Sequence, residues 1–300
     1  MHEQALEQAV GAGDRIAEAY ALHGLSETYA FAGPPSAAIR FGDRGSVLMR
    51  ELGHRALLYE NEYIRSSALA LSGRIDDARE VVLSAIDGCR AIGDRRNLAY
   101  ALGASFMSLV PRLELELALD NTNEAVAIAE DLDVPRLEMT VRVFRAVVHI
   151  ARDDLAAAEE DAAIATRRFA GRSTFCAAQL RAVEGCVALR RGDLATARDA
   201  FARARAVGAM GMLDGTGAAL TELIAWCDAG DAPALRDTGA WLRKLAGDEG
   251  IALLGWAEFA DAAAAALEGA DGSEPAHRAL AAAEYTGDRR LAELVRPLAV

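Results

Sequence analysis

The stretch at residues 68–93, ALALSGRIDDAREVVLSAIDGCRAIG, contains the end of one predicted helix, a turn at Gly73 and a second predicted helix that ends at Gly93. Residues that end helices recur about every 39 residues, a period typical of helical repeat arrays. These helix-ending residues form two interleaved series with the same period. This arrangement predicts helix-turn-helix repeats along the whole chain. The first series is Gly33, Gly73, Pro111, Asp153, Gly192, Gly230 and Gly269, and the second is Gly13, Gly53, Gly93, Leu132, Gly171, Gly211, Gly250 and Gly287.

This period predicts a single repeat domain over all 300 residues, because a solenoid grows by adding units and does not need a larger core. A half-repeat or capping helix is expected at 2–11, and a terminal helix at 288–296. The seven predicted repeats between them are 14–53, 54–93, 94–133, 134–171, 172–211, 212–250 and 251–287. Within the third repeat, residues 111–123 read as an extended turn or a helical extension, and the glycine-rich residues 208–217 read as a flexible connection.

Composition narrows the classes of partner. The formal net charge of −13 argues against direct binding to nucleic acid or to an anionic membrane surface, since both require basic residues. The four cysteines are dispersed in apolar helical patterns, which favours buried, reduced thiols and a cytoplasmic protein. The first residues show no signal peptide.

No catalytic constellation is evident. The phosphate-binding glycine motifs are absent, and the five histidines form neither an HExxH motif nor a cluster with cysteines. His149 lies in an apolar run and reads as a residue of helix packing. We therefore expect no catalytic residues, no metal site and no cofactor.

The unit at residues 14–53 carries a family resemblance. Leu22, Leu25, Ser26 and Tyr29 precede the turn, and Ala38 follows it, at the places where tetratricopeptide (TPR) repeats carry similar residues. Similar matches occur in the second and fifth units. The repeats are longer than the usual TPR unit of about 34 residues, so the chain also resembles the TPR-like tails of large bacterial ATPase-type transcriptional regulators. This resemblance implies an all-α, right-handed solenoid.

TPR geometry also implies that the first helix of each repeat lines the concave face. A polar and aromatic groove is then expected near the N-terminal end, and an apolar one further on, at positions such as Leu220, Ile224 and Trp256. The alternative is that a tightly wound superhelix buries these residues against its own neighbours. The candidate groove residues are Tyr20, His23, Glu27, Glu60, Tyr63, Asn97, Tyr100 and Phe106.

Three functions are compatible with these patterns. The first is a non-enzymatic scaffold that binds a protein or peptide in a bacterial regulatory system. The second is a sensor that binds a small molecule or a peptide pheromone in its concave groove. The third, an enzyme on a helical-repeat frame, requires convergent titratable residues in one pocket. A sensor predicts a closed, ligand-sized cavity with polar groups, whereas a scaffold predicts an open groove.

Overall fold

The computed structural model describes residues 2–169, 176–208, 212–247 and 249–299. Within these ranges the regular structure is entirely helical, so the predicted all-α solenoid class is confirmed. No helix in the described part of the chain is long and apolar enough to cross a membrane.

Seventeen α-helices follow one another with short connections in the described ranges, and each packs mainly on its sequence neighbours. They are α1 (His2–Ala12), α2 (Arg15–Ala32), α3 (Pro35–Glu51), α4 (Arg55–Leu71), α5 (Ile75–Ile92), α6 (Arg95–Ala104), α7 (Phe106–Leu109), α8 (Leu115–Leu132), α9 (Pro135–Ala151), α10 (Leu155–Phe169), α11 (Ala177–Arg190), α12 (Leu194–Gly208), α13 (Met212–Ala229), α14 (Ala232–Ala246), α15 (Ile251–Leu267), α16 (Ser273–Thr286) and α17 (Arg289–Val295). A 3₁₀ turn at Arg296–Leu298 follows.

The residues that recur at the ends of the helices end them through their backbone conformation. Gly73 and Gly93 have φ values of +87° and +72°, in the left-handed region that favours glycine. Where the period lacks a glycine, Asp133 and Asp153 adopt this conformation with φ values of +47° and +64°. Aspartate tolerates the left-handed region better than most residues do. The turn is therefore preserved although the glycine is not.

Small residues let the helices approach closely. The alanines at the predicted crossing positions of the second helices are almost fully buried, among them Ala78, Ala85, Ala158, Ala165 and Ala197. Gly185 on α11 faces the ring of Phe201 on α12, which is 2% exposed. A Cβ atom on Gly185 would lie 2.6 Å from Cε1 of that ring. The absent side chain is therefore what allows Phe201 to fill this interface.

We expect Gly185→Ala to destabilise the protein, although the same change in an open helix stabilises it by about 0.5–1 kcal/mol. The new methyl group must displace a buried ring, at a cost of about 1–3 kcal/mol. The matched control is Gly11→Ala in α1, where a Cβ would meet no atom within 4 Å. Urea unfolding followed by circular dichroism should show a lower midpoint for Gly185→Ala only. Equal midpoints would mean that the α11–α12 contact is looser than described.

Of the two alternatives for residues 111–123, the structure has the helical extension, because α8 already begins at Leu115. The apolar helical pattern is hard to recognise there because two positions that face the core carry polar residues. Asn121 donates from Nδ2 to the Ser105 hydroxyl at 3.1 Å, and Thr122 donates to the carbonyl oxygen of Ala118 at 2.8 Å. Their hydrogen-bonding groups are satisfied internally, so the helix tolerates them.

The superhelix closes on itself. Helix α2 packs against α13, nearly two hundred residues later in the chain. The Ser36 backbone N–H donates to a Glu249 carboxylate oxygen at 3.2 Å, and the Arg290 N–H donates to the Pro111 carbonyl oxygen at 2.9 Å. The C-terminal helices thus contact the N-terminal half directly, and the concave face encloses an interior space.

Candidate functional site

The interior of the superhelix contains a cavity of about 140 Å³. The first helices of successive pairs, α4, α6–α7, α9, α11, α13 and α15, contribute its walls, and α17 closes it. Most of the lining is apolar, with Phe106 and Phe144 in contact at 5.0 Å between ring centroids. Further lining residues include Leu71, Val147, Leu220, Ile224, Leu253 and Trp256.

Two carboxylates in the cavity wall are held by the fold. Asp214 on α13 accepts from the backbone N–H groups of Ala178 and Gln179 at 3.0 and 2.9 Å. Asp288, at the N-terminus of α17, accepts from the Trp256 indole and from the Leu291 N–H, both at 2.9 Å. Burial raises the pKa of both carboxyl groups, while these hydrogen bonds oppose the shift.

Other polar groups in the same wall lack a partner. The Gln179 side-chain nitrogen and the Thr216 hydroxyl are buried, and neither is hydrogen-bonded within the described structure. Gln179 is 3% exposed and Thr216 is 5% exposed. An unsatisfied buried group costs about 1–3 kcal/mol. The unpaired groups therefore give this cavity wall hydrogen-bonding capacity that a polar ligand atom can use.

The predicted groove cluster lies elsewhere, near the N-terminal end. His23 Nε2 lies 3.8 Å from Glu60 Oε1, across the interface of α2 and α4. Tyr63 on α4 stacks on Tyr100 on α6 with 6.1 Å between ring centroids. Burial raises the pKa of Tyr63 well above its ordinary value, and the charges of Glu60 and Glu27, together with Tyr100, add to this. These five residues thus form one neighbourhood on three consecutive first helices, α2, α4 and α6.

The remaining candidates are placed differently. Tyr20 is half exposed, and its hydroxyl lies 3.1 Å from His54 Nε2. Asn97 turns toward the start of its own helix, where its Nδ2 donates to Asp94 at 2.9 Å. Phe106 lies in the central cavity and not beside the tyrosines. The eight candidates are therefore divided between the N-terminal cluster, two local contacts and the cavity.

Several cavity residues were missed from the sequence. Residues 208–217 were expected to form a flexible connection, but α13 already begins at Met212, and Asp214, Thr216 and Gly217 line the cavity. Residues 209–211 lie outside the described structure. The local signal was Asp214 in a helical first turn, where acidic residues are favoured. No local sequence pattern predicted that Arg290 lines the cavity, because only closure of the superhelix brings this residue there.

Burial shifts the pKa values of several cysteines and one histidine in the described ranges. Burial raises the pKa of Cys89 to about 12 and that of Cys186 to about 11, so both thiols are poor nucleophiles near neutral pH. Burial also lowers the pKa of His149, which is held between α9 and α10. Within the described ranges, no group of three or more His, Cys, Asp or Glu residues could hold a metal ion.

Comparisons with known proteins identify the fold. No family model matches the sequence, and no curated protein matches it significantly. A Rap protein complexed with Competence and Sporulation Factor superposes with a TM-score of 0.61 at 16% identity, covering 95% of this chain and 76% of that one. The apo form of RapI superposes with a TM-score of 0.55 at 13% identity, covering 88% and 92%. At these identities, the chain shares the TPR-like helical-repeat fold of Rap proteins.

Proposed function

We propose that this chain is a non-enzymatic regulatory protein that binds a peptide or small ligand inside its superhelix. The observation that carries the proposal is the apolar cavity inside the superhelix, with unpaired buried polar groups in its wall. Such a site is the usual form of a ligand pocket, in which a few polar groups orient a mostly apolar molecule. An open groove was the expectation for a passive scaffold, and a ligand-sized cavity with polar groups supports the sensor.

Two further points support the proposal. A Rap protein of similar fold forms a complex with Competence and Sporulation Factor, which makes a ligand-binding regulator a natural use of this architecture. The four cysteines are unpaired, as suits a reducing compartment. The proposal therefore extends to a cytoplasmic bacterial signalling protein, and its long helices would also suit the repeat tail of a larger transcriptional regulator.

The test is binding of a neutral apolar probe by the full chain. We expect 1-hexanol to give a saturable calorimetric titration, because its chain suits the cavity and its hydroxyl can pair with a wall group. Ala70→Leu, which fills space at a lining position that is 8% exposed, should weaken binding at least tenfold. The control is Ala266→Leu, at an exposed position of α15. Binding that both variants retain equally would place the probe outside the cavity and overturn the proposal.

A second candidate function is binding of a protein or peptide partner through the N-terminal cluster, which is the scaffold hypothesis. It is favoured by exposed Glu27 near the stacked Tyr63 and Tyr100, and by exposed Tyr20, which lies on the same helix α2 as Glu27. Exposed aromatic residues are enriched at protein interfaces. A photo-reactive side chain at Tyr20 should crosslink to a partner in cell extract if this face is used. The same group at exposed Tyr285 on α16 provides the control.

A further inference from the structure

The cavity wall contains more unused hydrogen-bond donors than the two buried side chains alone. Arg290 lines the cavity from the first turn of α17. Its guanidinium forms no hydrogen bond or ion pair with any residue in the described part of the chain. Burial lowers the pKa of Arg290, and the charges of Asp288 and Asp228 oppose that shift. A charged group in an apolar wall calls for a partner.

Arg290 differs from two arginines that are paired through hydrogen bonds. The buried Arg142 donates to Glu138 and Asp161 at 3.0 and 2.9 Å. The partly exposed Arg205 donates to Glu222 at 2.6 and 3.1 Å. The half-buried Arg290 guanidinium lies in the field of Asp288 and Asp228 but donates no hydrogen bond to either carboxylate, so its donors stay available among the described residues.

The acidic residues of the wall do not need a cationic ligand. The oxygens of Asp214 accept from two backbone N–H groups, and Asp288 accepts from Trp256 and from Leu291. The unused capacity is therefore that of the Arg290 guanidinium, the Gln179 amide and the Thr216 hydroxyl. An arginine can only donate hydrogen bonds, and a hydroxyl can donate one. The complementary ligand group is an acceptor, and an anionic acceptor pairs best with arginine.

The volume of the cavity limits the size of the apolar part of the ligand that is attached to the acceptor group. A cavity of about 150 Å³ in another protein accommodates benzene, and the cavity here measures about 140 Å³. Its remaining wall is formed by aliphatic and aromatic side chains such as Leu71, Phe106 and Ile224. The buried part of the ligand is thus a short alkyl chain or a single ring.

We propose that the cavity binds a carboxylate attached to a compact apolar group, with Arg290, Thr216 and Gln179 as the groups that recognise the carboxylate. This inference rests on the proposed function and specifies the ligand class for the same cavity. The chemistry has two sources, a free small carboxylic acid and the C-terminal residue of a peptide. The two differ in the amide group that precedes the carboxylate in a peptide.

The test compares matched probes on the full chain by titration calorimetry at neutral pH. Hexanoate should bind at least tenfold more tightly than 1-hexanol, which has the same chain without the charge. The affinities of N-acetyl-leucine and N-acetyl-leucinamide are compared in the same way, because they represent a peptide C-terminus with and without the charged carboxylate. The pair with the larger carboxylate preference identifies the source. If 1-hexanol binds and neither carboxylate is preferred, this inference is overturned and the proposed function stands; if no probe binds, both fail.

Variants separate recognition from packing. Arg290→Gln should reduce the affinity for hexanoate to that for 1-hexanol and leave 1-hexanol binding unchanged. Arg289→Gln, an exposed neighbour of the same charge, should change neither affinity.

Thr216→Val provides a second readout that a purely structural role would not give. Replacing an unsatisfied buried hydroxyl by an isosteric methyl group should maintain or raise the Tm of the unliganded protein. The same variant should weaken hexanoate at least threefold. A lowered Tm with unchanged hexanoate affinity would show that Thr216 serves packing alone and would remove it from the site.

Discussion

The Arg142→Met variant should lose about 3–5 kcal/mol of unfolding free energy, the cost typical of breaking a buried ion pair. Arg142 is 6% exposed on α9 and lies between Glu138 and Asp161, which are 3% and 1% exposed. Although burial alone lowers it, the hydrogen bonds from Arg142 to Glu138 and Asp161 hold the pKa of the guanidinium above its ordinary value. Methionine matches the length of the arginine stem but leaves two buried carboxylates without this counter-charge. Urea unfolding monitored by circular dichroism measures the loss.

The control for Arg142 is Arg203→Met on α12. Arg203 pairs with Asp199, but both side chains are more than half exposed, and exposed pairs contribute about 0–1 kcal/mol. Arg145 also donates to Asp161, at 2.7 Å, so it retains part of the pairing. A loss for Arg142→Met no larger than that for Arg203→Met would show that solvent reaches the network.

The second large effect is expected at Gly73, where the superhelix closes. A Cβ atom at this position would lie 2.6 Å from Thr286 Cγ2 on α16, and Gly73 has a φ of +87°. Gly73→Ala therefore combines backbone strain of about 1–2 kcal/mol with overpacking of about 1–3 kcal/mol. Thr286 is 4% exposed and cannot swing into solvent. We expect a lower Tm and, in small-angle scattering, a larger radius of gyration.

Two variants separate these contributions. Gly53→Ala changes the turn one helix earlier, between α3 and α4, with a φ of +67° and no atom within 4 Å of the added Cβ. It should show the strain alone and an unchanged radius of gyration. Adding Thr286→Ser removes the methyl group that the new Cβ meets, so the double variant should regain most of the overpacking loss. Identical behaviour of Gly53→Ala and Gly73→Ala would contradict closure at this contact.

The periodic turns were predictable because each depends on residues close in sequence. A glycine at the end of a helix, an alanine at a crossing and an aspartate cap such as Asp14 or Asp94 act within one or two helices. Two alternatives stayed open at residues 111–123 because Asn121 and Thr122 interrupt the apolar pattern of a helix whose polar groups are satisfied internally. The repeat spacing placed Leu220, Ile224 and Trp256 on the concave face, where they line the cavity, and Asp214 offered a further local hint.

The sequence by itself thus determined the all-α class, the period of the turns, the buried alanine crossings and the absence of familiar catalytic motifs. Only the tertiary structure decided that the superhelix closes on itself, that Phe106 lies in a cavity away from Tyr63, and that Arg290 lines the same cavity as Gln179 and Thr216. The physical reason is that small rotations between successive helix pairs accumulate over the array. The total rotation is not determined by any single repeat, and it is this total that brings α17 against the N-terminal half of the chain.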